Sequence, residues 1–505
     1  MDDDRLSRLE VAVMAAGAVL ILFLSSIGIT RFPLPWWDEG WTLSVAKNWV
    51  ATGHYGHILN GLPAGPSLSA HLPVVAIVSA SFIAFGVGLA QARMAMITCA
   101  VITLVLLYLL TRRVFGRSAA LVAVVLVSIV PVQWDLSILV LGRNVLGEVP
   151  SLMFILTGSY LFLESRGNRP LLLVASGIVF GLALATKAQV VPFVLFGLGC
   201  TAGVLLVRQR RLGIHTGMVI GLAVLVMYLI GLVRSMLLVT PGLPADPVVG
   251  LTGVTAMVFD PEIRGSMFRF AFFTGAPLTL ALGVALARII STLRARKEMS
   301  WNEVVRTMLA LLAGSWYLWF ITLSIGWGRY GFPAFFLIAP FSAELILRLV
   351  RAVRGTHPGN ATPRIRWGAG GLLVFFCLMA GRQGSVGVHA LLEVVPESGL
   401  EETAAFINHA TPPGASVETY ESELLFLLDR PVHVPPAQLN VDFIRRNWLG
   451  GPETRTYDAM AVNAEYLIIG AFGTGLYDPL IREGRYVPAH RFGTYAIFRR
   501  AMERR

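Results

Sequence analysis

Phe32-Pro-Leu-Pro-Trp-Trp-Asp-Glu-Gly-Trp41 follows directly on a first apolar stretch, residues 11–30. Asp38 and Glu39 are adjacent carboxylates flanked by Trp36, Trp37 and Trp41. Indoles collect at a bilayer interface because the ring buries while its N–H stays hydrated. Acids held at such a boundary are costly, which marks them as candidates for function. The competing reading is that they cap a helix over residues 40–50, whose N-terminus attracts negative charge.

Around that stretch the chain is far too apolar to be soluble. Its 505 residues are 55% hydrophobic and 14% charged, with a mean hydropathy of +0.68. This is the composition of a polytopic membrane protein. The net charge of +11 comes from basic residues clustered between apolar spans. That pattern points to membrane topology and excludes nucleic acid as a partner. Cys99, Cys200 and Cys377 all fall in apolar stretches, so neither a disulfide framework nor a cysteine metal site is expected. No small-residue cleavage motif follows the first apolar stretch, which reads as a retained span.

Stretches able to cross about 30 Å of hydrocarbon lie near residues 11–30, 94–111, 119–134, 149–163, 171–186 and 190–207. Five more lie near 217–232, 270–287, 308–325, 331–349 and 368–380. The ambiguous segment is 68–90, and charge decides it. If it lies on the outer surface, the clusters around Arg112/Arg113/Arg117, Arg166/Arg169, Arg208/Arg210/Arg211, Arg288–Arg306 and Arg348–Arg366 share the side of Arg5 and Arg8. If it crosses, they all swap sides, against the positive-inside rule. His71, Pro73, Ser67, Ser69, Ser79 and Ser81 also suit an interfacial helix.

The expected fold is therefore a polytopic α-helical membrane protein of about eleven crossings with a cytoplasmic N-terminus. A first outer loop spans about 31–93, and further outer segments fall at 135–148, Lys187, 234–269 and 326–330. The membrane part is expected to run over residues 1–384 and a small extracytoplasmic α/β domain over 385–505. In that domain 401–409 reads as a helix stopped by Thr411-Pro-Pro-Gly414, and 417–420, 466–469 and 494–498 read as strands.

All the chemical candidates land on the outer face. Besides Asp38 and Glu39 there are Arg143 and Glu148, in Gly142-Arg-Asn-Val-Leu-Gly-Glu-Val-Pro150. Cations stand at helix ends: Lys187 in Ala-Thr-Lys-Ala-Gln, and Arg329 beside Tyr330 in Gly-Trp-Gly-Arg-Tyr-Gly. Carboxylates beside converging cations suit transfer of a sugar from a lipid phosphate. A carboxylate takes the nucleophile's proton while Arg and Lys stabilise the departing phosphate. Alternatively, Asp38 and Glu148 share a divalent ion such as Mg, Mn or Zn. Each residue also has a plainer reading: Arg143 and Glu148 as an ion pair, Lys187 as a snorkelling side chain, Arg329 as a helix-end partner. His54, His57 and His71 share the outer loop without tight ligand spacing.

These residues, in this order, resemble the GT-C glycosyltransferases of the protein O-mannosyltransferase and aminoarabinose-transferase type. The resemblance covers about residues 10–350. It rests on the acidic pair and the helix Gly40–Trp49, the turn Gly53-His-Tyr-Gly56, and the surface helix from Gly65-Pro-Ser to Phe85-Gly86. It continues through Arg112-Arg-Val-Phe-Gly116, Gly147-Glu-Val-Pro150, Ala185-Thr-Lys187 and Arg329-Tyr330. It implies an inner-membrane enzyme with interfacial helices in its first outer loop. The enzyme would transfer sugar, with inversion, from a polyprenyl-phosphate donor to an extracytoplasmic protein, lipid or envelope glycan. Asp38 would be the base, with Glu39 beside it, Glu148 the second acid, and Lys187 and Arg329, with Arg143 and Tyr330, the phosphate contacts. His54, Tyr55 and His71 would contact substrate. The rival readings are a transporter or flippase of lipid-linked sugars, for which no internal repeat is visible, and a non-catalytic assembly subunit.

Overall fold

The computed structural model describes residues 6–66, 70–129, 136–238, 250–295, 298–355, 362–392, 398–451 and 457–501. Arg5 of the N-terminal charge pattern, Ser67 and Ser69 of the expected surface segment, and Trp134 and Asp135 at segment ends lie outside them.

Ten of the expected spans each overlap one helix, whereas 270–287 takes in the end of one helix (Pro261–Phe272) and the start of the next (Ala276–Arg294). Among the described residues eight helices are long and apolar enough to cross a membrane: α1 (Arg8–Ser26), α4 (Leu89–Phe115), α9 (Val190–Arg208), α10 (Arg210–Leu237), α13 (Ala276–Arg294), α14 (Trp301–Thr322), α15 (Gly328–Val353) and α16 (Pro363–Leu392). The other three expected spans fall on the shorter α5 (Arg117–Ser128), α7 (Glu148–Ser165) and α8 (Pro170–Thr186). The core packs α4, α7, α9, α14 and α15 around fully buried Phe162, Phe180, Leu198, Leu312 and Ala334. By contrast α1, α10 and α16 bury little surface inside the protein.

The basic ends of the helices converge. Glu10, at the start of α1, is held by Arg112 and Arg117. Glu344 on α15 collects Arg288, Arg306 and Arg348. Each acid thus gathers several like-charged arginines at one end of the bundle, the end opposite Asp38.

The first loop holds α2 (Trp37–Thr52), the hairpin β1 (His57–Leu59) and β2 (Leu62–Ala64), and α3 (Leu72–Phe85). Asn60 and Gly61 turn the hairpin with φ of 53° and 75°, the left-handed conformation that a two-residue turn requires. At 1.5 Å per residue α3 reaches only about 21 Å, short of a crossing. Both of its ends also sit at the same end of the bundle. Tyr55, beyond α2, donates to the carbonyl of Ala70 just before α3, and Arg93, one turn into α4, grips Glu39 of α2. The charge argument and the geometry agree that residues 70–90 do not cross.

The C-terminal domain has a five-stranded sheet of order β4-β3-β5-β7-β6. Its strands are β3 (Val417–Thr419), β4 (Val432–His433), β5 (Tyr466–Ile469), β6 (Tyr486–Phe492) and β7 (Tyr495–Arg500). The pairs β3–β4 and β3–β5 are parallel, β5–β7 and β6–β7 antiparallel. The helices α17 (Leu400–Ala410), α18 (Gln438–Leu449) and α19 (Asp478–Arg482) complete it, after the short α6 (Ile138–Leu141), α11 (Leu251–Thr255) and α12 (Pro261–Phe272) of the membrane part.

This domain is seated on α2. Trp37 Nε1 donates to the Tyr420 carbonyl at 3.0 Å, Ser422 Oγ to the Trp37 carbonyl at 2.5 Å, and Lys47 meets Asp429 at 2.9 Å. The closest approach is at Gly40, where a Cβ would lie 2.1 Å from the Ser422 carbonyl carbon and 2.2 Å from Glu423 N. Backbone cannot yield as a side-chain tip can. Gly40→Ala is therefore expected to cost about 1–3 kcal/mol and to unseat the domain. A lower thermal midpoint with faster proteolytic cutting between bundle and domain would show this, and unchanged proteolysis would disprove it.

Candidate active site

The site forms where α2 crosses the ends of α7, α8 and α15. Asp38 lies in the first turn of α2, Glu148 opens α7, Lys187 follows α8, and Arg329 lies in the first turn of α15. Arg329 Nη1 meets Asp38 Oδ2 at 2.5 Å, and Lys187 Nζ is in direct contact with Glu148 Oε1. Lys187 and Arg329 each also lie within electrostatic reach of the other pair's acid. Two carboxylates and two cations thus form one partly buried quartet. Burial draws Lys187 below its usual pKa, and Glu148 opposes that by stabilising the ammonium.

Aromatic rings wall the quartet. The Arg329 guanidinium lies 5.7 Å from the Trp36 ring centre, 5.5 Å from Trp327 and 5.5 Å from Tyr330. Lys187 Nζ lies 5.6 Å from Tyr330. Such faces hold cations without neutralising them. Trp316 Nε1 donates to the Tyr330 carbonyl at 2.9 Å and fixes this turn of α15.

His71, at the N-terminus of α3, belongs to the same neighbourhood. Its pKa is lowered to about 4 by burial and by the charges of Arg234 and Lys187, against Glu148. It is a neutral imidazole at physiological pH. Arg234, in the last turn of α10, reaches both His71 and Tyr55. The sequence reading assigned it no role. An apolar cavity of about 190 Å³ begins one helical turn from Arg329, lined by Phe332, Phe335, Phe336, Leu278, Phe376 and Met379.

Four of the expected site residues make their hydrogen bonds within the protein. Glu39 is fully buried and saturated: Arg93 Nε and Nη2 donate to it at 3.2 and 2.8 Å, Val145 N at 2.8 Å and Trp36 N at 2.8 Å. Its acceptor positions are filled within the protein, and its bond from Trp36 N caps α2. Arg143 donates to the carbonyls of Phe32 (2.9 Å) and Leu24 (3.0 Å) and braces the first loop. Tyr55 is fully buried, and burial pushes its hydroxyl up to about 12. His54 Nε2 lies 3.2 Å from the Ala64 carbonyl and fastens the hairpin.

A divalent ion would have few ligands. Among the described residues no three His, Cys, Asp or Glu side chains converge. Asp38 and Glu148 each carry a cation, and Glu148 Oε2 is buried without a hydrogen-bond partner.

A second cluster lies in the C-terminal domain. Buried Glu418 accepts from Tyr457 (2.5 Å), Tyr477 (3.1 Å) and His433 Nδ1 (2.5 Å). The bond to Glu418, and that carboxylate's charge, raise the pKa of His433 above its ordinary 6.5 against the effect of burial. The contribution to stability is then full below about 6.5 and is lost as pH rises through the folded value. Thermal midpoints taken from pH 6 to 9 should fall in the wild type and lose that component in His433→Gln. Equal slopes would refute the assignment.

No curated protein matches the chain in sequence. Residues 70–233 match the family described as dolichyl-phosphate-mannose-protein mannosyltransferase. Among solved structures, ArnT from Cupriavidus metallidurans bound to undecaprenyl phosphate aligns at TM-score 0.60 and 14% identity over 99% of each chain. The archaeal oligosaccharyltransferase AglB from Archaeoglobus fulgidus, in complex with an inhibitory peptide and a dolichol-phosphate, aligns at 0.51 and 13% over 98% of this chain and 75% of that one. The arabinofuranosyltransferase AftD from Mycobacteria aligns at 0.53 and 15%, covering 99% of this chain and 40% of that one. The chain has the fold of the GT-C superfamily of membrane glycosyltransferases.

Proposed function

We propose that this protein transfers a sugar from a polyprenyl-phosphate carrier to an acceptor on the extracytoplasmic side of the inner membrane, with Asp38 as the general base. The observation that carries this reading is the quartet, in which both acids are masked by the cations a phosphate would recruit. When the donor's phosphate enters, Arg329 and Lys187 turn to it and uncover Asp38. The base takes the proton of the acceptor's hydroxyl or amine, and the freed electron pair forms a bond to the anomeric carbon. The sugar–phosphate C–O bond breaks on the opposite face, with inversion. Its electron pair stays on the phosphate, where Arg329 and Lys187 stabilise the growing charge. Tyr330 orients both cations. The apolar cavity beside α15 supports the reading, because an isoprenoid chain needs such a surface close to its phosphate.

The test is turnover of a panel of radiolabelled polyprenyl-phosphate sugars by purified protein, with and without EDTA. Consumption that survives chelation is expected for the metal-free scheme. Loss on chelation would recast Asp38 and the open oxygen of Glu148 as ligands for Mg, Mn or Zn. Movement of donor across proteoliposomes without consumption would favour a flippase.

A further inference from the structure

Arg329 sits between two indoles, and each is completed from the C-terminal domain. Trp36 makes an edge-to-face contact with Phe472 at 5.5 Å, and Trp327 makes one with Trp448 of α18 at 5.7 Å. The Phe472 loop is built, not incidental. The buried carboxylate of Glu421 accepts from the backbone N–H groups of Gly470 (2.8 Å), Phe472 (3.2 Å) and Gly473 (2.6 Å). Glu421 belongs to the same segment, 420–423, that docks on α2 beside Asp38. One short stretch of chain therefore seats the domain and shapes its aromatic lip.

The rim is only half used. Trp36 is 43% exposed and Trp448 57% exposed, while the groups between them are charged. Flat, open aromatic faces beside hydrogen-bonding charges match a sugar ring. Its C–H face is weakly positive and lies against the negative π face, and its hydroxyls reach sideways to carboxylate and guanidinium. A peptide bound by strand addition would instead call for an unpaired strand edge, and the domain meets Trp36 and Trp327 with rings and one loop.

We infer that Trp36, Phe472, Trp327 and Trp448 form the acceptor subsite of this protein, and that it takes a saccharide ring. This deepens the transferase reading of the same site and rests on it. Phe472 and Trp448 become specificity residues contributed by the C-terminal domain, and Glu421 a positioning residue acting through the Phe472 loop.

The experiment uses the full chain in detergent and omits donor sugar. Short soluble oligosaccharides and a set of Ser/Thr peptides are compared by ligand-observed saturation-transfer NMR on wild type, Trp448→Ala and Phe472→Ala. Binding of polyprenyl phosphate serves as the fold control. Saccharide binding to wild type, weakened about tenfold or more in each variant with polyprenyl phosphate binding unchanged, is the expected result. A tenfold loss in Glu421→Gln, relieved by no change at Trp448, would assign Glu421 its positioning role. Peptides bound in place of saccharides, no saccharide bound by wild type, or equal binding by the variants would each overturn the inference. Failure of polyprenyl phosphate to bind wild type would instead strike at the transferase reading, and the saccharide arm reads independently of it.

Discussion

Asp38→Asn is expected to lose about 10²–10⁴-fold in the rate of sugar transfer while donor binding changes little. The amide keeps the size and shape of the carboxylate but cannot accept the acceptor's proton. It also releases Arg329, which Asp38 holds at 2.5 Å in the resting site. A freed guanidinium binds phosphate at least as well as a paired one, so the loss should fall on kcat and leave the donor KM level or lower. That split separates a base from a phosphate contact. On the proposed scheme Lys187→Met should do the reverse and raise the donor KM, because the phosphate loses a cation and Glu148 is left uncompensated. Single-turnover measurements on both variants give the comparison. Wild-type kcat in Asp38→Asn would remove Asp38 from the chemistry.

The contrast between these residues shows what could be read before the fold was known. Long apolar stretches announce themselves, and so do charges stranded at their ends; the apolar helices, and the group of Asp38, Glu148, Lys187, Arg329 and Tyr330 that the fold brings together, were legible on those grounds. In the C-terminal domain α17 and β5 were legible because each has its period and its stop. The hairpin was not, although Asn60-Gly61 carries the turn signal, because strands of three residues are too short for alternation to register. Phe472 and Trp448 give no local sign at all. Their meaning comes from rings more than a hundred residues away in sequence, against which the domain happens to dock. The roles of the first loop's polar residues were blurred for the same reason. Arg143, His54 and Tyr55 spend their polar atoms on backbone carbonyls that only the fold brings within reach.

The sharpest case is the acidic pair itself, and it carries the second large effect. Successive helical residues point about 100° apart, so Asp38 and Glu39 cannot share an environment. One faces the site at 18% side-chain exposure, and the other is sealed at 0% against Arg93. Arg93 does more than neutralise Glu39. Its Nη1 also donates to the carbonyls of Ile29 and Pro33 at 2.7 and 2.8 Å. It therefore ties the end of α1, the start of α2 and the start of α4 together. Arg93→Met would leave a carboxylate buried without its counter-charge and two carbonyls without their donor. Removing one partner of a buried pair costs about 3–5 kcal/mol, and this variant is expected to fall in that range. Glu39→Gln should be milder, because Arg93 keeps its two carbonyl acceptors and the amide oxygen can still accept from Val145 N. The double variant should be less destabilised than the sum of the two, since the second substitution removes a charge the first had orphaned. Thermal midpoints in detergent for the three variants, set beside Asp38→Asn, decide the point. Asp38→Asn should unfold near the wild-type temperature while inactive, and Arg93→Met should unfold early and lose activity only as α2 is released. If Arg93→Met melted with the wild type, the acid next to the base would not be the anchor that aims it.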